Sequence, residues 1–313
     1  MVDLDRRPYE PSDAAAFADL INAIDEHAGG HPGFTAADVA SVIAATVPDP
    51  RTDSCMVLAP DGTLAAGAVT MTPPQGGFRI DLLGGVHPRW RGRGIGRGLL
   101  GQQLTRAAEI HRTEASHAEW EAHAGVVVGD HDAVRLYERF GMTPVRYWFE
   151  MVAPTAVATD VTVPDALRVE AYSSRHETEL HAAHVEAFGD HWGYQSRPFE
   201  EWATMTVRSD SFLPGLSCLA FDGEELAGYV LCYSDADPKR LYIGHVGVRR
   251  AWRRRGIAGG LLARALEAGS EVGYSTAGLG VDAESPTGAV GVYERVGFET
   301  ESRSVTYRKP LRR

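Results

Sequence analysis

Lysine is nearly absent from the sequence: Lys239 and Lys309 stand alone among 31 basic residues, and the rest are arginine. We read this as codon bias and not as chemistry. Cysteine is also sparse, and Cys55, Cys218 and Cys232 show no Cys-x-x-Cys spacing. An odd, scattered set excludes a disulfide framework or a cysteine-built zinc site, and it suits a reducing compartment. No run of 18 apolar residues occurs, and Met1 to Pro11 is polar and charged, unlike a secretory leader. The expectation is a soluble, cytoplasmic protein with no membrane partner. Positive charge is in deficit as well, 31 basic against 42 acidic residues for a formal charge of −11. Such a surface repels a phosphate backbone at long range, so nucleic acid is not an expected partner. A composition of 44% hydrophobic and 23% charged residues excludes disordered, collagen-like and coiled-coil chains.

What is present is a repeat. At 313 residues the chain has about twice the length of a typical single domain, and the same order of features occurs twice. Trp90-Arg91-Gly92-Arg93-Gly94-Ile95-Gly96-Arg97-Gly98-Leu99-Leu100 matches Trp252-Arg253-Arg254-Arg255-Gly256-Ile257-Ala258-Gly259-Gly260-Leu261-Leu262, an offset of 162. Asp61-Gly62 returns as Asp222-Gly223, Ser54-Cys55 as Ser217-Cys218, and Ala133 to Met142 as Ala289 to Phe298. A duplicated domain explains this. We expect domains at 1–151 and 167–313, joined over 152–166 by an extended linker rich in Pro, Thr, Ala and Val.

Within each copy the pattern is mixed α/β. Asp13 to Ile24 and Glu177 to Phe188 carry helical apolar spacing, whereas Cys55 to Ala59 and Cys218 to Phe221 are short apolar strands. The Asp-Gly pairs turn those strands into Leu64 to Met71 and Leu226 to Tyr233. A further strand, Phe78 to Val86 or Leu241 to Val248, runs into the Gly/Arg segment, and helical spacing follows.

A strand that turns on glycine into a helix leaves the first-turn N–H groups without intrahelical partners, at the positive end of the helix dipole. Gly94, Gly96 and Gly256 lack a Cβ and Ala258 adds only a methyl, so a pyrophosphate can come close to the backbone. Arg91, Arg93, Arg253 and Arg255 are candidate phosphate donors. No lysine stands near either glycine pair, which excludes a P-loop, and neither segment spells the dinucleotide fingerprint G-x-G-x-x-G.

Arg91-x-x-Gly94-x-Gly96 and Arg253-x-x-Gly256-x-Ala258 resemble the R/Q-x-x-G-x-G/A acetyl-CoA motif of the GNAT superfamily of N-acetyltransferases. The segments Ala133-x-x-x-Tyr137-Glu138-Arg139-x-Gly141-Met142 and Ala289-x-x-x-Tyr293-Glu294-Arg295-x-Gly297-Phe298 resemble that family's tyrosine-bearing helix. The resemblance spans nearly the whole chain, in the two-domain plan of actinobacterial acetyltransferases of the mycothiol synthase type. It implies an α/β (α+β) fold of two tandem GNAT-like domains, each a mixed, splayed β-sheet flanked by helices. It also implies acetyl-CoA as acyl donor, without a metal, and a small-molecule amine as acceptor.

Residue by residue, the resemblance assigns the pyrophosphate to the turns Arg91, Gly92, Arg93, Gly94, Ile95, Gly96 and Arg253, Arg254, Arg255, Gly256, Ile257, Ala258. The backbone N–H groups of Val246 and Val248, and of Gly84 and Val86, are assigned to pantetheine and the thioester oxygen. Tyr293, with Tyr137 as counterpart, becomes the general acid; a phenol of ordinary pKa near 10 suits donation to a thiolate. The glutamate that serves as base in many members is missing, for Tyr242 and Ile80 occupy its positions. His245, on the same strand, is the titratable substitute, against its reading as an ordinary packed histidine.

For the acceptor side the stretch His181 to Tyr194 is dense in polar and aromatic groups, with Glu186 and Asp190 placed to attract an amine and His191, Trp192, Tyr194 and Tyr242 to line the site. His181 and His184 share a helix face but lack a matching third ligand for a metal. This richness makes the C-terminal copy the expected principal catalyst. Two functions stand open at this point: an N-acetyltransferase for a small primary amine, whose narrower form takes a mycothiol-synthase acceptor, and a non-catalytic acyl-CoA-binding sensor or scaffold.

Overall fold

The computed structural model describes residues 4–114, 117–156 and 160–311; residues 157–159 of the expected linker and 1–3 of the polar N-terminus lie outside them. The chain divides into two units, Met1–Tyr147 with Ser302–Arg313, and Trp148–Glu301.

In the N-terminal unit the order is β1 (Asp5–Arg7), α1 (Ala14–His27), α2 (Ala36–Thr46), α3 (Pro50–Asp53), β2 (Ser54–Leu58), β3 (Leu64–Met71), β4 (Arg79–Val86), α4 (Ile95–Glu114), β5 (Trp120–Val127) and α5 (His131–Arg139). β6 (Thr143–Pro154) then leads into the C-terminal unit, which continues with β7 (Arg168–Ala171), α6 (Glu177–Phe188), α7 (Phe199–Met205), β8 (Cys218–Asp222), β9 (Glu225–Ser234), β10 (Arg240–Val248), α8 (Ile257–Glu271), β11 (Thr276–Asp282), α9 (Ala289–Val296) and β12 (Glu299–Leu311).

Local chemistry explains several boundaries. Thr35 and Asp38 form a reciprocal capping box at the start of α2, with N–H to oxygen distances of 3.1 and 2.9 Å. The hairpin turns take Gly62 at φ +84° and Gly223 at φ +61°, as the Asp-Gly pairs predict. α1 turns Phe17, Leu20 and Ile21 inward, and α8 does the same with Leu261, Leu262 and Leu266. Each such burial contributes about 1.5–3 kcal/mol.

The sheets follow the order β1-β2-β3-β4-β5-β12 and β6-β11-β10-β9-β8-β7. The division expected at 151/167 needs restating on this topology. Val152 to Pro154 are not linker: they continue the pairing of Met151 with β11, Val152 opposite Gly278 and Pro154 opposite Thr276. The last strand of the N-terminal unit comes instead from the end of the chain, Ser304 to Leu311 lying antiparallel to β5. Each unit is completed by residues that a cut between the copies assigns to the other. Of the expected linker, Val161 to Val163 lie against α8.

One feature of both sheets positions the candidate sites. β4 and β5 run parallel but pair only over Arg79–Asp81 with Glu121–His123. β10 and β11 likewise pair only over Arg240–Tyr242 with Thr276–Gly278. Beyond those residues the strands part, while β4 and β10 keep pairing with β3 and β9 to Val86 and Val248. Two openings result, one in each unit.

Candidate active site

Amide directions along the parting strands follow from alternation. Arg249 N–H donates to the Ala227 carbonyl on the β9 side (3.0 Å), so the amides of Val248 and Val246 turn the other way, toward the opening. In the N-terminal unit His87 N–H donates to Ala65 (3.0 Å), which turns Val86 and Gly84 toward theirs. β10 carries an irregularity between Ile243 and His245. Gly84 has φ +119°, and a Cβ there would lie 2.1 Å from the Gly67 carbonyl oxygen, so only glycine fits.

Each strand then enters the arginine-glycine turn. Gly94 and Gly256 adopt φ +81° and +82°, with nothing within 4 Å of where a Cβ would stand. The first α-helical bonds of the two helices come from Gly98 and Gly260, whose N–H groups reach Gly94 and Gly256. The preceding amides of Ile95, Gly96 and Arg97, and of Ile257, Ala258 and Gly259, therefore have no intrahelical acceptor. Gly256 provides no side-chain cap. Gly92 takes φ +76°, and its counterpart Arg254 holds φ +62°, at a cost of about 1 kcal/mol for a residue with a Cβ.

The arginines are used differently from the expectation. Arg253 binds the Val248 carbonyl (3.2 Å), Asp190 (2.8 Å) and the Ala187 carbonyl (3.1 Å). Arg91 caps the Val86 carbonyl (3.4 Å) and forms a two-pronged pair with Asp130 (3.1 and 2.7 Å). Arg255 donates to the Ala251 carbonyl, and Arg93 lies 4.4 Å over the Trp90 ring. The motif's first arginine thus braces the strand end, and the backbone amides are the groups that face outward.

Two acceptor assignments need correcting for the same reason. Glu186 accepts from Arg249 (2.7 Å) and from the Arg250 amide (2.8 Å). Asp190 binds Arg250 and Arg253, which hold its carboxyl well below the ordinary range. Both carboxylates are neutralised from α6 outward and are not available to draw in an amine.

The wall that the sequence assigns to the acceptor is built from rings. His245 Nδ1 is 3.1 Å from the Tyr233 hydroxyl, and its ring meets that of His184 edge-on at 5.2 Å. His184 stacks on Phe188 at 4.4 Å, and its Nδ1 is 2.9 Å from the Tyr229 hydroxyl. Burial brings His245 down to about 4, and burial followed by the His245 charge brings His184 down to about 2. Both imidazoles are neutral at physiological pH. His191 packs on Phe188 at 4.5 Å and is lowered by burial, and Tyr194 lies 6.2 Å from His184. Trp192 meets Trp148 at 6.3 Å, and Tyr242 packs with the Trp202 and Tyr229 cluster. Tyr293, half-buried on α9, is pushed up to about 12 by burial and stays protonated.

The opening of the N-terminal unit is different in kind. Tyr137 on α5 donates to the Gly125 carbonyl (3.4 Å), and burial, then Asp130 and Asp25, hold its hydroxyl well above the ordinary phenol range. Asp25 is pushed up to about 6 by burial and by Asp130, with His31 opposing. The sequence reading missed Asp25, because Asp25-Glu26-His27 looks like any polar helix end. It placed His184 in the polar and aromatic stretch of the acceptor side without singling it out; among the described residues no group suited to hold a metal occurs.

Residues 177–298 match the acetyltransferase (GNAT) family, and residues 51–143 match a GNAT acetyltransferase domain. A mycothiol acetyltransferase of Streptomyces scabiei (strain 87.22) is 31% identical over 71% of this chain and 69% of its own length. This chain belongs to the GNAT acetyltransferase family. A GCN5-related N-acetyltransferase from Sphaerobacter thermophilus shares 31% identity, with a TM-score of 0.77 over 99% of this chain and 96% of that one. A tandem GNAT protein from the clavulanic acid biosynthesis pathway shares the fold at 16% identity, with a TM-score of 0.71 over 99% of both chains. The chain is therefore an enzyme, an N-acetyltransferase with two GNAT domains, and the expected mixed tandem architecture is observed. The GNAT fold generally takes an acyl-CoA donor. No described helix is long and apolar enough to cross a membrane.

Proposed function

We propose that the chain transfers the acetyl group of acetyl-CoA to a primary amine of a small molecule, and that the C-terminal unit is a principal centre. The observation that carries the reading is the sequence of backbone donors at one opening. The Val246 and Val248 amides face the gap, and a few residues later the Ile257, Ala258 and Gly259 amides stand at an uncapped helix start. Their order along the chain suits a thioester carbonyl at one end and a diphosphate at the other, and the empty space at Gly256 suits the close approach of a diphosphate.

Within that frame the Val246 and Val248 amides stabilise charge on the thioester oxygen, where aligned donors in a dry site are most effective. The amine nitrogen forms the new C–N bond as the C–S bond breaks. Tyr293, protonated at neutral pH, gives its proton to the departing thiolate. His245 is neutral and, in the tautomer whose Nδ1–H donates to Tyr233, presents its Nε2 lone pair for the proton lost from nitrogen. The ring-lined wall of His184, Phe188, His191 and Tyr194 holds the acceptor by packing and not by charge. Relatives named mycothiol acetyltransferase support a small-molecule acceptor, and the mycothiol precursor is the first to assay.

Replacing Gly256 by Asn tests the donor site. Asparagine tolerates positive φ and caps helix starts, so the fold is kept while its side chain competes for the amides. Calorimetry is expected to show acetyl-CoA affinity at this site at least about tenfold weaker. Unchanged affinity would remove the diphosphate from this turn and the proposal with it.

A further inference from the structure

Asp25 stands on the last turns of α1, and the contacts around it place it at the opening of the N-terminal sheet. Its neighbour Ile24 presses on β4, its Cδ1 lying 2.8 Å from where a Cβ on Gly85 would be. Immediately after it the chain crosses to β5: the Ala28 carbonyl oxygen is 2.2 Å from the Cβ position of Gly129, and Val127 Cγ2 is 2.7 Å from that of Gly30. Asp25 lies between these two footholds, where β4 and β5 have stopped pairing. Gly129 and Gly30 are small because the end of α1 must come this close. Tyr137 reaches the same opening through Gly125.

Among the described residues no arginine or lysine binds the Asp25 carboxylate. The arginine nearby, Arg91, is committed to Asp130, which also accepts from the Ala133 amide (3.0 Å). His31, on the loop that follows α1, is the titratable group whose charge opposes the rise at Asp25. A carboxylate held without a cation, half-buried, is retained against its solvation and invites a functional reading.

We infer that the N-terminal unit is a second acetyl-transfer centre, specific for amines that arrive as ammonium ions, with Asp25 as the proton acceptor and Tyr137 as the donor to sulfur. The inference rests on the reading that these units take acetyl-CoA. The ammonium group pairs with Asp25 and passes one proton to its carboxylate. The neutral nitrogen attacks the thioester carbon, C–N forms and C–S breaks. Tyr137 protonates the thiolate and is reprotonated by the second nitrogen proton. One proton per turnover leaves from Asp25 to solvent. Burial and Asp130 bring Asp25 to about 6, basic enough to accept a proton and ionised above that pH, while His31 faces it and Tyr137 stays protonated. On the corresponding helix of the C-terminal unit, α6, His184 and Phe188 lie against His245 of β10, so the two centres differ in acceptor charge.

The test uses the full chain carrying Gly256→Asn, Tyr293→Phe and His245→Gln, so that the C-terminal unit lacks its donor turn, its proton donor and its proton acceptor, with thiol release in the presence of spermidine, tyramine and glucosamine, and acetyl-CoA binding by calorimetry. This variant is expected to retain turnover that rises with pH through about 6. Adding Asp25→Asn should lower kcat/KM about 100-fold with unchanged acetyl-CoA affinity, and Asp25→Glu should restore part of the rate. Retained turnover on adding Asp25→Asn, or loss of all turnover in the chain with the three C-terminal substitutions while the parent turns over, overturns the second centre alone. If the parent binds no acetyl-CoA, the proposed function fails first. If it binds but acetylates none of the three amines, the second centre is overturned.

Discussion

Two histidines in the C-terminal unit are kept neutral by where they are. His184 lies among Phe188, Trp202 and Tyr194, and His245 packs edge-on against it. The ordinary imidazole pKa is 6.5, and in the fold burial lowers His245 to about 4 and His184 to about 2. Unfolded chains therefore bind protons below 6.5 that the fold refuses. Stability falls as pH drops from 6.5 toward 4, by on the order of 3 kcal/mol for each histidine. Thermal melts of the parent and of His245→Gln between pH 7 and pH 4.5 check this: the parent should lose Tm more steeply. Parallel curves would mean that His245 takes up its proton in the fold at its ordinary pKa.

One glycine repeated in both copies shows how an element's surroundings reverse the sign of a substitution. Gly98 of α4 and Gly260 of α8 are equivalent, four positions after the turn glycine. A Cβ on Gly98 would meet only Arg6 Nη2, at 3.8 Å. On Gly260 it would stand 2.4 Å from the Val163 nitrogen and 2.5 Å from the Thr162 carbonyl carbon. Alanine improves a helix interior by about 0.5–1 kcal/mol relative to glycine, so Gly98→Ala should raise Tm slightly. At Gly260 the backbone crossing over α8 must move, which costs about 1–3 kcal/mol and outweighs the helical gain. Paired urea titrations read both values, and two changes of the same sign would contradict the crossing.

Exchange of terminal strands governs what can be cut from the chain. Val305, Tyr307 and Leu311 of β12 are buried with Trp120, Ala122 and Ala124 of β5 and with Met142. Each of the three contributes about 1.5–3 kcal/mol, and their removal leaves β5 an open edge. A chain ending at Glu301 is expected to melt in two steps, with the N-terminal unit first and well below the full-length Tm, while the Trp148–Glu301 unit holds its own. Calorimetry with hydrogen exchange would assign the steps. A shortened chain with an unchanged single transition would show that β12 contributes little. The same topology predicts that a fragment ending at Met151 folds poorly although it contains one full copy of the motif.

Much was legible along the chain because it is local. The Asp-Gly hairpins, the arginine-glycine turns and the tyrosine helices are each written within a dozen residues, and their repetition declared two GNAT domains. What a side chain does once there was not legible. Glu186 and Asp190 read as acceptor carboxylates until the fold set arginines of the distant turn after β10 beside them. Asp25 read as a solvated helix end until α1 was laid across the parting strands, and the chain's last strand gave no sign of pairing with β5. Propensity and turn chemistry act between neighbours, so sequence alone determined the elements and the arginine-glycine turns. Burial, ion pairing and strand exchange join residues distant along the chain, and only the tertiary structure decided which charges are neutralised and that, among the described residues, no arginine or lysine meets the half-buried Asp25.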